Sequence, residues 1–184
     1  MASLLLMLPS ALVAQNNGPA FASLAIGLGV QEHPASISLP RTGINASYRL
    51  GYRFSSSWAG AFELVTQHIG ESSIRPAGFM CPANTNCVAP TGPVDTRSIG
   101  LGAYRSTRVA GARVSLGVTP NWTWFSRSTV RPSAHAFGIA LGSNIATGGP
   151  GPLHPMIEAR YFRYNGRSSS LTSSFQVGLG LSWH

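Results

Sequence analysis

From Phe175 to Trp183 the chain alternates at a period of two. Phe175, Val177, Leu179, Leu181 and Trp183 share one parity, and Gln176, Gly178, Gly180 and Ser182 share the other. Successive side chains of a strand point to opposite faces, so this segment predicts a strand with one large apolar face and one small polar face. The same division recurs upstream. Leu24, Ile26, Leu28 and Val30 oppose Ser23, Ala25, Gly27 and Gly29; Ile44, Ala46, Tyr48, Leu50, Tyr52 and Phe54 oppose Asn45, Ser47, Arg49, Gly51 and Arg53. Eight such segments are predicted, at about 21–31, 42–54, 58–69, 95–105, 109–125, 134–143, 154–164 and 172–183.

A soluble barrel also alternates, with its apolar face inward. It must then coat its outside with charge, and soluble chains average about 25% charged residues. Only 10% of these 184 residues are charged. The other parity carries mostly Gly, Ser, Ala, Asn and Gln, which suit the narrow lumen of a small barrel whose apolar outside meets lipid. Each segment is long enough for a tilted crossing, which takes about 9–11 residues. Leu50, Leu64, Leu116, Ile139 and Leu179 are expected to face lipid near the middle of the bilayer.

The connections predict an orientation. Ser55–Ser57 and Ser106-Thr107 read as tight turns, whereas 70–94, with four prolines, is long. Short turns on one side and long loops on the other match periplasmic and extracellular ends, with both termini periplasmic. Segment 144–153 is awkwardly long for a periplasmic turn; it is either a Gly/Pro turn or a miscounted strand. Aromatic residues collect where interfacial girdles are expected: Tyr52, Phe54 and Trp58 around the first turn, Trp122 and Trp124 near the far end of the fifth strand, and Trp183 at the end of the last.

Leu4–Leu8 followed by Pro9–Ala14 reads as the core and small-residue end of an export signal, cut after Ala14 or Ala20. No Lys or Arg precedes it. Residues 1–20 are therefore assigned to a signal peptide and polar spacer, and 21–184 to a single barrel domain. In an exported chain Cys81 and Cys87, five residues apart in a turn-rich stretch, read as a disulfide rather than as free thiols or a metal site.

All thirteen basic residues are Arg, and they outnumber five acids to give +8 and a pI near 10.8. They are scattered rather than clustered with aromatics, which argues against nucleic acid. At a rim they suit an anionic lipid surface. Gly27-Leu28-Gly29 and Gly100-Leu101-Gly102 lie mid-strand with no following helix, so they are strand glycines rather than phosphate loops.

The lumen parity holds Arg49, Arg53, Glu63, Arg113, Glu158 and Arg160. A turn centred on Ser56 sets Arg49 opposite Glu63, a favourable cross-strand pair. Two uses are open for the set: a selectivity or gating constriction, or an ion network that fills and rigidifies a closed interior. Four Arg against two Glu predicts a positive lumen and, in a pore, a preference for anions. No metal constellation or cofactor site is visible, and His68 and His135 have no Ser/Asp arrangement in sequence that would make a catalytic set.

Leader, eight strands and an aromatic-ending last strand together resemble small outer-membrane β-barrels of the OmpA transmembrane-domain and OmpX type. The resemblance covers nearly all of 21–184 and implies an all-β, eight-stranded antiparallel up-and-down transmembrane barrel in the bacterial outer membrane. It implies membrane lipid and lipopolysaccharide as surroundings, and the barrel assembly machinery as a partner. That machinery reads a terminal strand normally finishing on Phe or Trp; here Trp183 is followed by His184. Such barrels include anchors, adhesins, narrow channels and lipid A-modifying enzymes, so fold does not give function. The lipid A deacylases carry a His-x-Ser-Asn element on a late strand; Tyr161–Asn165 has neither the His nor the Ser. The expected role is therefore a monomeric, non-enzymatic structural or surface-interaction barrel. A narrow anion-preferring channel is the alternative, and a lipid A-modifying enzyme a distant third.

Overall fold

The computed structural model describes residues 19–32, 41–69, 94–127, 134–148, 151–165 and 173–183. The leader through residue 18, Cys81 and Cys87 lie outside them. Eight strands are present: β1 (Ala20–Glu32), β2 (Arg41–Arg53), β3 (Trp58–Ile69), β4 (Val94–Val109), β5 (Ala112–Arg127), β6 (Ala134–Ala146), β7 (Leu153–Asn165) and β8 (Ser173–Trp183). Each pairs antiparallel with its sequence neighbours, and β8 closes on β1. The fold is an up-and-down barrel without a free sheet edge.

The pairing sets the barrel's geometry. From Ala20 it steps to Tyr52, Gly60, Ala103, Val118, Leu141, Tyr161 and Phe175, and re-enters β1 at Val30, ten residues further on. A stagger of this kind requires strands tilted by about 35–45°. Eight such strands enclose little more than side-chain room.

The alternation read from the sequence divides inside from outside as expected. Leu101 and Leu179 are 71% and 68% exposed on the outer face, alongside Leu50, Leu116 and Ile139. Ser47, Arg49, Glu63, Asn121, Glu158, Arg160 and Gln176 are buried inside. Polar groups line the core and apolar side chains coat the exterior, the inverse of a water-soluble protein. Tyr52, Phe54 and Trp58 are exposed outside at one end of the barrel, and Trp122 and Trp124 outside toward the other.

Two turns differ from the expectation. Ser106-Thr107 is not a turn: β4 continues to Val109, and the reversal is Ala110-Gly111, with φ of 49° and 83°. Val109 faces Ala112 across it, so this is a two-residue hairpin. Both central residues have positive φ, the geometry that twists with the strands and that Gly adopts freely. Ser106 instead lies on the inner face and bonds Ser115 at 2.8 Å. Segment 144–153 hides no extra strand: β6 runs to Ala146 and β7 starts at Leu153, which leaves residues 147–152 as the connection. Thr147 N–H donates to the Pro155 carbonyl at 2.9 Å across it. The turn at 54–57 forms as expected, with Ser55 Oγ accepting from the Trp58 amide at 3.0 Å.

Connections 54–57, 110–111 and 147–152 and the outer ends of β1 and β8 share one end of the barrel, the turn end. Connections 33–40, 70–93, 128–133 and 166–172 join strands at the other, the loop end.

Candidate functional site in the lumen

The centre of the lumen is an ion network built by β2, β3, β4 and β7. Alternation turns Arg49, Glu63, Glu158 and Arg160 inward, and the short 54–57 turn sets Arg49 directly across from Glu63. Arg49 Nε donates to Glu63 Oε1 at 2.7 Å, and its Nη2 donates to Glu158 Oε2 at 3.0 Å. Arg160 Nη2 donates to Glu158 Oε2 at 3.0 Å, and its Nη1 reaches Glu63 Oε2 at 3.3 Å. All four are at least 95% buried. Each arginine therefore bridges both carboxylates, and each carboxylate both arginines.

Three neutral residues finish the network. Tyr104 O–H donates to Glu63, and its hydroxyl lies 3.1 Å from Thr119 Oγ1. Ser47 Oγ donates to Glu158 Oε1 at 2.6 Å. The Arg49 guanidinium lies over the Tyr104 ring, 4.5 Å from its centroid, which places a cation on the negative π face. The ring lies close against β5: a Cβ on Gly117 would come within 2.2 Å of Tyr104 Cδ1. Sequence reasoning omitted Tyr104, although it shares the parity of Gly100 and Gly102. A lone aromatic among inward-facing glycines was the available signal.

Toward the loop end the lumen is filled. Gln67 Oε1 accepts from Gln31, Ser174 and Gln176 at 3.2–3.3 Å. Val65, Phe125, Ala136, Ala140, Phe162 and Tyr164 form a buried apolar cluster beside it.

Arg53 and Arg113, expected in the same charge set, do not join it. They lie toward the turn end, lining a space of about 30 Å³ with Ser106, Ser115 and Ser182. Arg53 packs on the Phe21 ring at 5.1 Å. The network thus balances two cations with two carboxylates, so the positive excess expected of the lumen comes from Arg53 and Arg113 rather than from its centre. The excess charge is displaced to one mouth.

On the outer face His68 Nδ1 meets Asp95 Oδ1 at 2.6 Å, a pair that the sequence reading did not find. His68 is flanked in register by Asp95 and Ile44, and Ser126 faces the far side of Asp95. The hydroxyl thus neighbours the carboxylate rather than the imidazole, which is the wrong order for a Ser–His–Asp relay. Trp122 stacks on His135 with ring centroids 5.0 Å apart. Among the described residues no group of three or more His, Cys, Asp or Glu is placed to hold a metal.

No family model and no curated protein matches the sequence. Solved structures do match the fold. Neisserial surface protein A aligns with a TM-score of 0.67 at 11% identity, covering 92% of this chain and 99% of its own. The N-terminal β-barrel domain of Pseudomonas aeruginosa OprF aligns at 0.54 with 9% identity, covering 91% and 98%. The outer membrane protein OprG from Pseudomonas aeruginosa aligns at 0.54 with 10% identity, covering 92% and 98%. The chain has the fold of a small outer-membrane barrel.

Proposed function

We propose that this chain is an integral protein of the bacterial outer membrane, anchored by its barrel and presenting its longer connections at the cell surface. The inverted barrel carries this reading: an apolar outside and a polar, ion-paired inside. Soluble monomers rarely expose contiguous apolar patches beyond a few hundred Å², whereas lipid solvates such a surface. The likeness in fold to three outer-membrane proteins supports the same location. In this orientation the turn end is periplasmic and the loop end extracellular.

Lipid and lipopolysaccharide are the partners that the outer face suits. Exposed Arg97 and Arg163 stand toward the loop end with Trp122 and Trp124, where cationic and aromatic side chains meet headgroups. The barrel assembly machinery is the proposed route of insertion. Without a free sheet edge the barrel suits a monomer, and the role is non-enzymatic. A narrow anion-preferring channel is opposed by the central ion network and the packing beyond it.

The test is localisation and topology in cells. Full-length protein expressed in a Gram-negative host should fractionate with the outer membrane and migrate differently on gels before and after boiling. Protease added to intact cells should cut it within 70–93. Soluble periplasmic protein, or cleavage only after the outer membrane is opened, would refute the reading.

A further inference from the structure

We propose that the turn-end mouth of the lumen is a binding site for a phosphate-type oxyanion, held by Arg53, Arg108 and Arg113. Arg108 and Arg113 face each other directly across the β4–β5 hairpin. Like charges directly opposite destabilise a sheet pair. Arg53 lies close enough to both to repel them. All three share the lumen parity of their strands.

The chain has five acids, and none of those among the described residues sits at this mouth. Glu63 and Glu158 are committed to the central network. Asp95 lies near the loop end of β4 and pairs with His68, Glu32 ends β1 at the loop end, and Glu71 lies outside the described residues. Residues 1–18 contain no acid. Three cations thus converge without a side-chain counter-ion among the described residues.

Arg113 Nη1 is also buried and has no hydrogen-bond partner among the described residues. A buried donor left unpaired is costly, and an external acceptor removes that cost. The space behind the mouth, about 30 Å³ and lined by Arg53, Arg113 and three serines, holds a water or two. The anion sits at the opening, where Arg108 is exposed. Planar guanidinium groups match the oxygens of phosphate better than a halide. The ligand comes either as free phosphate or as the phosphodiester of an inner-leaflet lipid; these sources rest on the orientation proposed above, whereas the site itself does not.

Calorimetric titration of inorganic phosphate into the full-length refolded protein in zwitterionic detergent tests the site, with chloride at matched ionic strength as control. Wild type should bind phosphate in preference to chloride. Arg113→Gln should weaken binding by about tenfold or more. Arg108→Gln, at an exposed position that makes no contact with the central network, should weaken it as well. Arg105→Gln, on the outer face, should leave it unchanged. Phospholipid nanodiscs against a detergent that contains no phosphate, such as an amine oxide, separate the sources: equal phosphate affinity in both identifies free phosphate, and loss of the phosphate response in the nanodiscs identifies the lipid headgroup. Phosphate binding no tighter than chloride, or equal in Arg108→Gln, Arg113→Gln and wild type, overturns the proposal.

Discussion

Glu63 has three partners in the lumen: Arg49, Arg160 and the Tyr104 hydroxyl. Removing its charge leaves two buried guanidinium groups facing one carboxylate. Breaking one partner of a buried pair costs about 3–5 kcal/mol, because the other charge is stranded. Glu63→Gln should therefore lower unfolding stability by this amount in a urea titration of barrel refolded into lipid vesicles, and Arg49→Gln somewhat less. Since Arg160 and Glu158 still balance, the double variant should cost clearly less than the sum of the singles. Additive losses would show that the groups are not coupled. Gly117 gives a second test. Gly to Ala within a strand ordinarily gains about 0.5–1 kcal/mol. Here the new methyl meets the Tyr104 ring, and overpacking costs about 1–3 kcal/mol. Gly117→Ala should thus destabilise, and a gain would mean that the ring does not lie there. The pairing of Arg49 with Glu63 was legible because a symmetric turn fixes local register. The separation of Arg53 and Arg113 from it was not. Parity tells which face a residue is on, while the height of Arg113 follows from the β4–β5 register, which the turn expected at Ser106-Thr107 instead of Ala110-Gly111 misplaced.

At the scale of the strand, the outer face is a prediction about solvent. Leu116 on β5 and Leu179 on β8 are 61% and 68% exposed, and each has large apolar outward neighbours along its strand. Arginine near the bilayer midplane costs about 2–4 kcal/mol. Leu116→Arg and Leu179→Arg should each lose that much stability in the same titration in vesicles. Unchanged stability for either would reverse the assignment of faces. All eight strands were legible, because an apolar exterior on one side and a packed lumen on the other impose the period of two along their whole length. Two strand ends were misread for one reason. Small polar residues form turns elsewhere, but here they are also the lumen lining. Ser106 and Thr107 read as a turn, yet Ser106 bonds Ser115 inside. Asn144 read as part of a loop, yet it is buried inside and stands opposite Glu158. The positive φ at Ala110-Gly111 marks the real hairpin.

For the whole molecule, closure joins what the sequence keeps apart. Ser47 and Glu158, and Arg160 and Glu63, meet only because β7 faces β2 and β3 across a narrow lumen. The result is a lumen built in layers: excess cations at the turn-end mouth, a charge-balanced network at the centre, and glutamines with an apolar cluster toward the loop end. The anchoring role proposed above needs a rigid wall and no conduit. Single-channel recording in planar bilayers asks whether this lumen is closed when the barrel is embedded in lipid. Refolded wild-type protein, with insertion verified by its shift on unboiled gels, should give no resolvable conductance steps. Steady conductance steps from wild type, with an ion preference that Glu63→Gln moves toward anions, would contradict it.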